Sequence, residues 1–277
     1  MPQIEVGAGT IEYQDSGGER PALVLVPGLA MDHRQWERVV PELRDEFRCV
    51  SVTLPMGAHR QAMRPEADLS MVGMGRILAE VLEQLDLRDV VLCFNDWSGA
   101  QAMIVDSRVD RVAKLVLASC ETVGNYPPGL GGWAAWLAAS LPGGLAMTRQ
   151  ILLRPRLARL PFFFGQMSKR GIPAETMRHW MEPLARKEIR RDLRKYASDA
   201  VPNGRRTLRE AQGKLGTFER PVLVVWDSEG KMMPNEEGRR LADSFPDSRY
   251  VELPDCYTLI ALDQPAELAR LIREFAS

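Results

Sequence analysis

Eight strand-like runs, at 3–6, 11–14, 22–26, 48–53, 89–94, 113–119, 221–226 and 248–253, alternate with amphipathic segments near 34–46, 70–86, 98–107, 236–245 and 264–275. In the second of these, Met74, Ile77, Leu78, Val81, Leu82 and Leu85 recur at helical spacing. Two early strands followed by repeated strand–helix–strand order predict an α/β fold whose sheet is mostly parallel, with helices on both faces. The runs Leu115-Val116-Leu117 and Val222-Leu223-Val224-Val225 are continuously apolar, which suits strands buried on both sides.

The alternation breaks between 122 and 216. This stretch is rich in Pro, Gly and helix formers and has no strand pattern, so it reads as a helical cap inserted between two strands. The expected division is a first core part over 1–121, a cap over 122–216 and a second core part over 217–277. A cap so placed lies over the carboxyl ends of the strands, where open α/β sheets put their sites. The basic run 186–195 has interleaved acids and reads as a solvated helix face.

Composition excludes several classes. With 277 residues and a net charge of −1, nothing points to nucleic acid. The N-terminus lacks the basic and apolar regions of a secretory signal, and no uncharged stretch is a good membrane span, so a cytoplasmic protein is expected. Cys49, Cys93, Cys120 and Cys256 form no CxxC pair and read as buried reduced thiols. No His/Cys/Asp cluster has metal-ligand spacing, and no glycine-rich loop has nucleotide-binding spacing; no cofactor is expected.

Chemistry concentrates where the run Val90-Val91-Leu92-Cys93-Phe94-Asn95 enters the turn Asp96-Trp97-Ser98-Gly99. A strand–turn–helix of this kind is the setting of a nucleophile elbow, which holds a reactive side chain above a sheet. An ordinary carboxyl, with a pKa of about 3.9, is ionised at neutral pH. It can attack an electrophilic carbon without first losing a proton to a base. An Asp here also suits a helix N-cap.

On these residues the chain resembles an α/β-hydrolase of the haloalkane dehalogenase and epoxide hydrolase branch. The likeness spans the Pro27-Gly28 turn, the Thr53-Leu54-Pro55-Met56-Gly57 loop, Asn95-Asp96-Trp97, the cap, and the stretch from Trp226 to Asp263-Gln264-Pro265. It implies an eight-stranded sheet with Asp96 as nucleophile. It also implies that the backbone N–H groups of Leu29 and Trp97 face developing negative charge, and that the Trp97 ring holds a leaving group or simply packs. Glu121 matches an acid position used by some dehalogenases, or is an exposed carboxylate at a helix start.

Three positions depart from that pattern. Phe94 stands where the elbow normally has a small residue, and Gly230 where relatives commonly carry an acid, with Asp227 and Glu229 close by. Thr258 occupies the loop 254–260 where a catalytic His is expected. His59, on a loop predicted to pass near the elbow, is the candidate substitute base. His179 in the cap is a second cavity candidate, and Tyr257 or Asp255 could exchange a proton with Asp96. Asn95, Trp133 and Thr258 are further candidates for contacting substrate, within a pocket suited to a small hydrophobic molecule. Apolar cap residues left exposed would suit a homodimer contact.

Three readings follow. Asp96 attacks an epoxide, carbon–halogen or ester bond. Alternatively it acts as general acid or base in an isomerase, lyase or cyclase, with Tyr257 or Glu121 as partner. In the third reading the chain binds a hydrophobic ligand without chemistry.

Overall fold

The structure, a computed structural model, describes residues 1–99 and 101–277. One eight-stranded sheet runs through it: β1 (Gln3–Val6), β2 (Gly9–Asp15), β3 (Ala22–Val26), β4 (Arg48–Thr53), β5 (Val90–Asp96), β6 (Val112–Cys120), β7 (Val222–Asp227) and β8 (Ser248–Leu253). Their spatial order is β1-β2-β4-β3-β5-β6-β7-β8. β2 is antiparallel to β1 and β4, and the other pairs are parallel. This is the mostly parallel α/β sheet expected from the alternation, with the eight strands that the resemblance implies.

The central strands are apolar over most of their length because each face of the sheet has its own core. On β3, Val24 and Val26 join one cluster and Leu23 and Leu25 the other; Leu92 and Phe94 are likewise separated from Val91 and Cys93 on β5. The smaller cluster is closed by Trp36, Val39 and Leu43 together with Leu268, Leu271 and Ile272 of the helix Pro265–Ala276. The larger takes in the helix Met71–Gln84, whose Met74, Ile77, Leu78 and Val81 are buried as the spacing predicts. All four cysteines are free and buried.

Between β6 and β7 the described chain is helical, and this region extends the larger core upward. Its longest element, the helix Lys187–Leu215, contains the basic run. That run is more than a solvated face: Ile189, Asp192, Leu193, Tyr196 and Ala200 form a buried stripe at helical spacing. No helix among the described residues is long and apolar enough to cross a membrane.

Candidate active site

β5 ends at its partner's end: Asp96 pairs with Cys120 after a register irregularity that follows Asn95. The chain then reverses sharply, which puts Asp96 at φ +68°. That left-handed conformation is unfavourable for a residue with a side chain and is characteristic of strained functional turns. Two neighbours make it feasible. A Cβ at Gly28 would overlap the Asp96 carboxyl, so this position must lack one, and Gly99 sits at φ +73°. Phe94 does not obstruct the turn, because it points into the same buried cluster as Trp97.

Beneath the turn a chain of buried amides fixes its position. Gly28 N–H donates to Gln35 Oε1 at 2.8 Å, Gln35 Nε2 to Asn95 Oδ1 at 3.0 Å, and Asn95 Nδ2 to the carbonyls of Ala118 (2.8 Å) and Thr258 (2.7 Å). Asn95 is therefore occupied in joining β3, β5, β6 and the loop after β8. Offered by the sequence as a substrate contact, it does not line the Asp96 cavity, and its side-chain groups are already used.

Asp96 itself is 2 % exposed and opens on a cavity of about 100 Å³. The cavity is walled by Leu29, Ala30, Ala138, Leu145, Phe163 and Met232 among others; Asp96, Thr148 and the Trp97 indole are its polar side chains. Burial pushes the Asp96 carboxyl up to about 7, although the backbone N–H groups of Trp97 and Leu29 draw it back down. Its Oδ2 has no hydrogen-bond partner among the described residues. The expectation of a fully ionised carboxylate is thereby corrected: at neutral pH Asp96 is divided between its two forms.

Glu121 is fully buried, which removes the reading of an exposed helix-start carboxylate. It follows β6 directly and accepts from the N–H groups of Gly99 (2.7 Å) and Ser98 (3.3 Å), just beyond the turn. Burial raises it to about 8 against those hydrogen bonds, and the nearby Asp96 adds to the rise. On β7, Asp227 is also buried and raised, to about 6, and accepts from Ser119 Oγ at 2.6 Å. Glu229 instead lies outside and pairs with Lys169.

Trp97 does line the cavity. Its ring packs edge-on against Tyr126 at 5.2 Å and lies 6.1 Å from Tyr196. Burial raises both phenols. The indole N–H and the two hydroxyls have no hydrogen-bond partner among the described residues, and both phenols gather round the Trp97 ring. Neither tyrosine was singled out from the sequence. Tyr196 had a signal in the buried stripe of the helix Lys187–Leu215.

Other candidates lie elsewhere. His59 is 2 % exposed, but its Nδ1 accepts from Gly57 N–H at 3.2 Å and its Nε2 meets Asp192 Oδ2 at 3.3 Å. It ties a core loop to the Lys187–Leu215 helix and does not line the Asp96 cavity. His179 also turns away from the cavity, meeting Asp32 Oδ2 at 2.8 Å. Trp133 is 51 % exposed, packs edge-on against Trp136 and is no wall of the cavity. Tyr257 stays outside it, its backbone N–H held by Asp263 Oδ2 at 3.0 Å, and Asp255 pairs at the surface with Lys169 and Arg170. Thr258 is buried, but what the structure uses of it is its carbonyl; its Oγ1 has no partner.

The fold also gathers Asp32, His33 and His179, whose ligand atoms lie within 4.8 Å of one another, a grouping hidden by the sequence separation. A cation is already supplied there: Arg60 reaches Asp32 Oδ2 at 3.4 Å and His179 Nε2 at 2.9 Å.

Comparison with known proteins adds three findings. The sequence profile described as the Alpha/beta hydrolase family matches residues 23–271. Haloalkane dehalogenase 2 of Mycobacterium bovis is 28 % identical over 280 aligned positions, covering 96 % of this chain and 91 % of that protein. Among solved structures, a haloalkane dehalogenase loop variant from Bradyrhizobium elkanii superimposes with a TM-score of 0.74 at 16 % identity, covering 98 % of this chain and 93 % of its own. A thermophilic esterase from Thermogutta terrifontis gives 0.70 at 19 % identity, covering 100 % and 98 %. At these identities the two structures share the fold.

Proposed function

Because this chain belongs to the alpha/beta hydrolase family, we propose that it is an enzyme acting on a small hydrophobic molecule, with Asp96 as the attacking group. The observation that carries this reading is the Asp96 carboxyl, its Oδ2 left without a partner at the tip of a strained turn and facing an apolar cavity. An Oδ atom attacks a carbon that bears a halogen, or a carbon of an epoxide or activated ester. The carbon–oxygen bond to Asp96 forms as the leaving group departs with its electron pair. Negative charge then falls near the Trp97 indole N–H and the backbone N–H groups of Leu29 and Trp97, donors fixed before the reaction begins. Similarity to haloalkane dehalogenase 2 supports trying a carbon–halogen bond before the other two.

The second half-reaction is where this chain departs from the pattern. Hydrolysis of the ester needs a base to activate water. Thr258 stands where the resemblance puts that base, and none of the three histidines lines the cavity. Glu121, raised to about 8, holds its proton at neutral pH and is a poor substitute. The ester on Asp96 is therefore expected to be long-lived. Intact-protein mass spectrometry after exposure to alkyl halides, epoxides and activated esters tests this. A persistent adduct absent from Asp96→Asn is the expected result. No adduct and no product would reject Asp96 as nucleophile and leave a ligand-binding role.

One observation favours a second reading, in which Asp96 is a general acid or base. Its pKa of about 7 suits proton transfer, which needs no activated water. The pH profile separates the two. Attack by the carboxylate rises through pH 7 and levels off above it, whereas general-acid work by the same group falls above pH 7; general-base work rises as attack does and is told apart by isotope labelling. Transfer of label from H₂¹⁸O into Asp96 during turnover would rule out the second reading.

A further inference from the structure

Eight large apolar side chains are exposed among the described residues, and seven of them fall between 130 and 162. Leu130, Trp133, Leu137, Leu141, Met147 and Phe162 are each between 47 % and 61 % exposed. The first four recur at helical spacing along and just beyond the helix Gly129–Ser140, which contains no charged residue. A patch concentrated in this way is a surface awaiting a partner.

Charge identifies that partner. From Thr122 to Ala174 the chain has six Lys or Arg residues and no Asp or Glu. Arg154, Arg156 and Arg159 are exposed and form no ion pair among the described residues. An apolar stripe with exposed, unpaired cations in the same stretch of chain complements an anionic lipid surface, which takes apolar side chains between its acyl chains and cations at its headgroups. A second copy of this chain fits poorly. Two-fold pairing through this face would set the same cations against each other with no acid in the segment to neutralise them.

We propose that the face formed by residues 130–162 docks on an anionic lipid surface. The position of the cavity gives the docking a purpose. Phe162 is both a wall of the Asp96 cavity and, at 54 % exposure, part of the patch, and Gly131 of the patch helix is another wall. Docking therefore sets the cavity mouth against the membrane. On the reading of that cavity as a substrate site, the substrate class narrows to apolar molecules dissolved in lipid.

Co-sedimentation with vesicles, in the absence of substrate, tests the docking separately from any chemistry at Asp96. The chain is expected to sediment with vesicles of phosphatidylcholine and phosphatidylglycerol, weakly with phosphatidylcholine alone, and less at high salt. Trp133→Asp with Leu137→Asp, both at exposed positions, is expected to reduce binding by at least about tenfold. Arg154→Glu with Arg156→Glu should remove the phosphatidylglycerol preference, since each cation near such a surface contributes about fivefold. Unchanged melting temperatures establish that the variants fold. Asp96→Asn should bind as the parent does, so loss of chemistry and loss of docking are distinguishable. No binding to either vesicle overturns the proposal, as does binding unaffected by these substitutions. It is also overturned by a concentration-dependent dimer that Trp133→Asp abolishes, which would make the face a self-association surface.

Discussion

Asp96 and Asp192 are equally hidden, at 2 % and 0 % exposure, yet the fold treats them in opposite ways. Asp192 accepts from Met63 N–H at 2.8 Å and from the Arg191 guanidinium at 2.7 Å, and it meets His59 Nε2 at 3.3 Å. Those partners outweigh its burial and hold its carboxyl below the usual range. Asp96 has two backbone N–H groups and apolar walls, and it rises to about 7. The chain thus shows that it can saturate a buried carboxylate where one only holds the cap to the core. A carboxyl left unsaturated costs stability, and it retains the reactivity that hydrogen bonds would have quenched.

The sharpest break of this comparison is substitution at each site. Asp96→Asn should slow adduct formation by at least about 10⁴-fold, in line with losses at other nucleophiles. The same change should raise stability at pH 8, by up to about 4 kcal/mol at roughly 1.36 kcal/mol per pH unit between 3.8 and about 7. Thermal melting alongside mass spectrometry reads both effects; a destabilised Asp96→Asn would contradict the contrast. Thr258→His should shorten the lifetime of the Asp96 adduct by about 10²–10⁴-fold, the usual contribution of a positioned general base. An adduct of unchanged lifetime would show that the loop cannot present an imidazole.

Asp192→Ala should behave in the other manner, losing about 3–5 kcal/mol in urea unfolding because Arg191 and His59 are left facing a void. Asp32 belongs with Asp192: the Trp180 indole N–H donates to its Oδ1 at 2.9 Å. Trp180→Phe keeps the ring and removes that donor, and should cost about 1.5–3 kcal/mol.

The smallest effect is in the pH dependence of stability. Burial lowers His33, His59 and His179 below their ordinary 6.5. The unfolded chain then binds protons that the folded one refuses, so stability falls as pH drops below about 6.5. Asp96 and Glu121 act at the other end. Raised to about 7 and about 8, they favour folding while protonated, and that contribution drains away as pH climbs from about 4 to those raised values, above which none is left. Asp96→Asn should remove the Asp96 share of the decline between about pH 4 and about pH 7 and leave the histidine effect below about pH 6.5 unchanged, which melting temperature against pH reads.

The sheet was legible because each central strand is buried on both faces, and unbroken runs such as Val222-Leu223-Val224-Val225 have few other places to go. Asp96 was legible because strand, turn and small residues are contiguous there. The His59–Asp192 bond joins residues 133 positions apart, so nothing local distinguished an anchored histidine from a catalytic one. Trp133 misled for a different reason. Its helix is apolar all round, leaving no polar side to say which way it faces. Packing decided the matter: Gly132, Ala138 and Ala139 turn inward, where small side chains let the helices approach, and Trp133 and Leu137 turn outward. Nor does sequence reveal burial, so the shift of Asp96 to about 7 became visible only with the cavity around it.

Asn95 grips the loop after β8 through the carbonyl of Thr258, an atom that every amino acid possesses. The loop is fastened whatever side chain residue 258 carries. Position 258 is in this sense a socket, whose occupant changes without unfastening the scaffold that holds it. Under the chemistry proposed for Asp96, releasing a bound ester or keeping it would then differ by a single codon, with the loop fastened at both ends of the step.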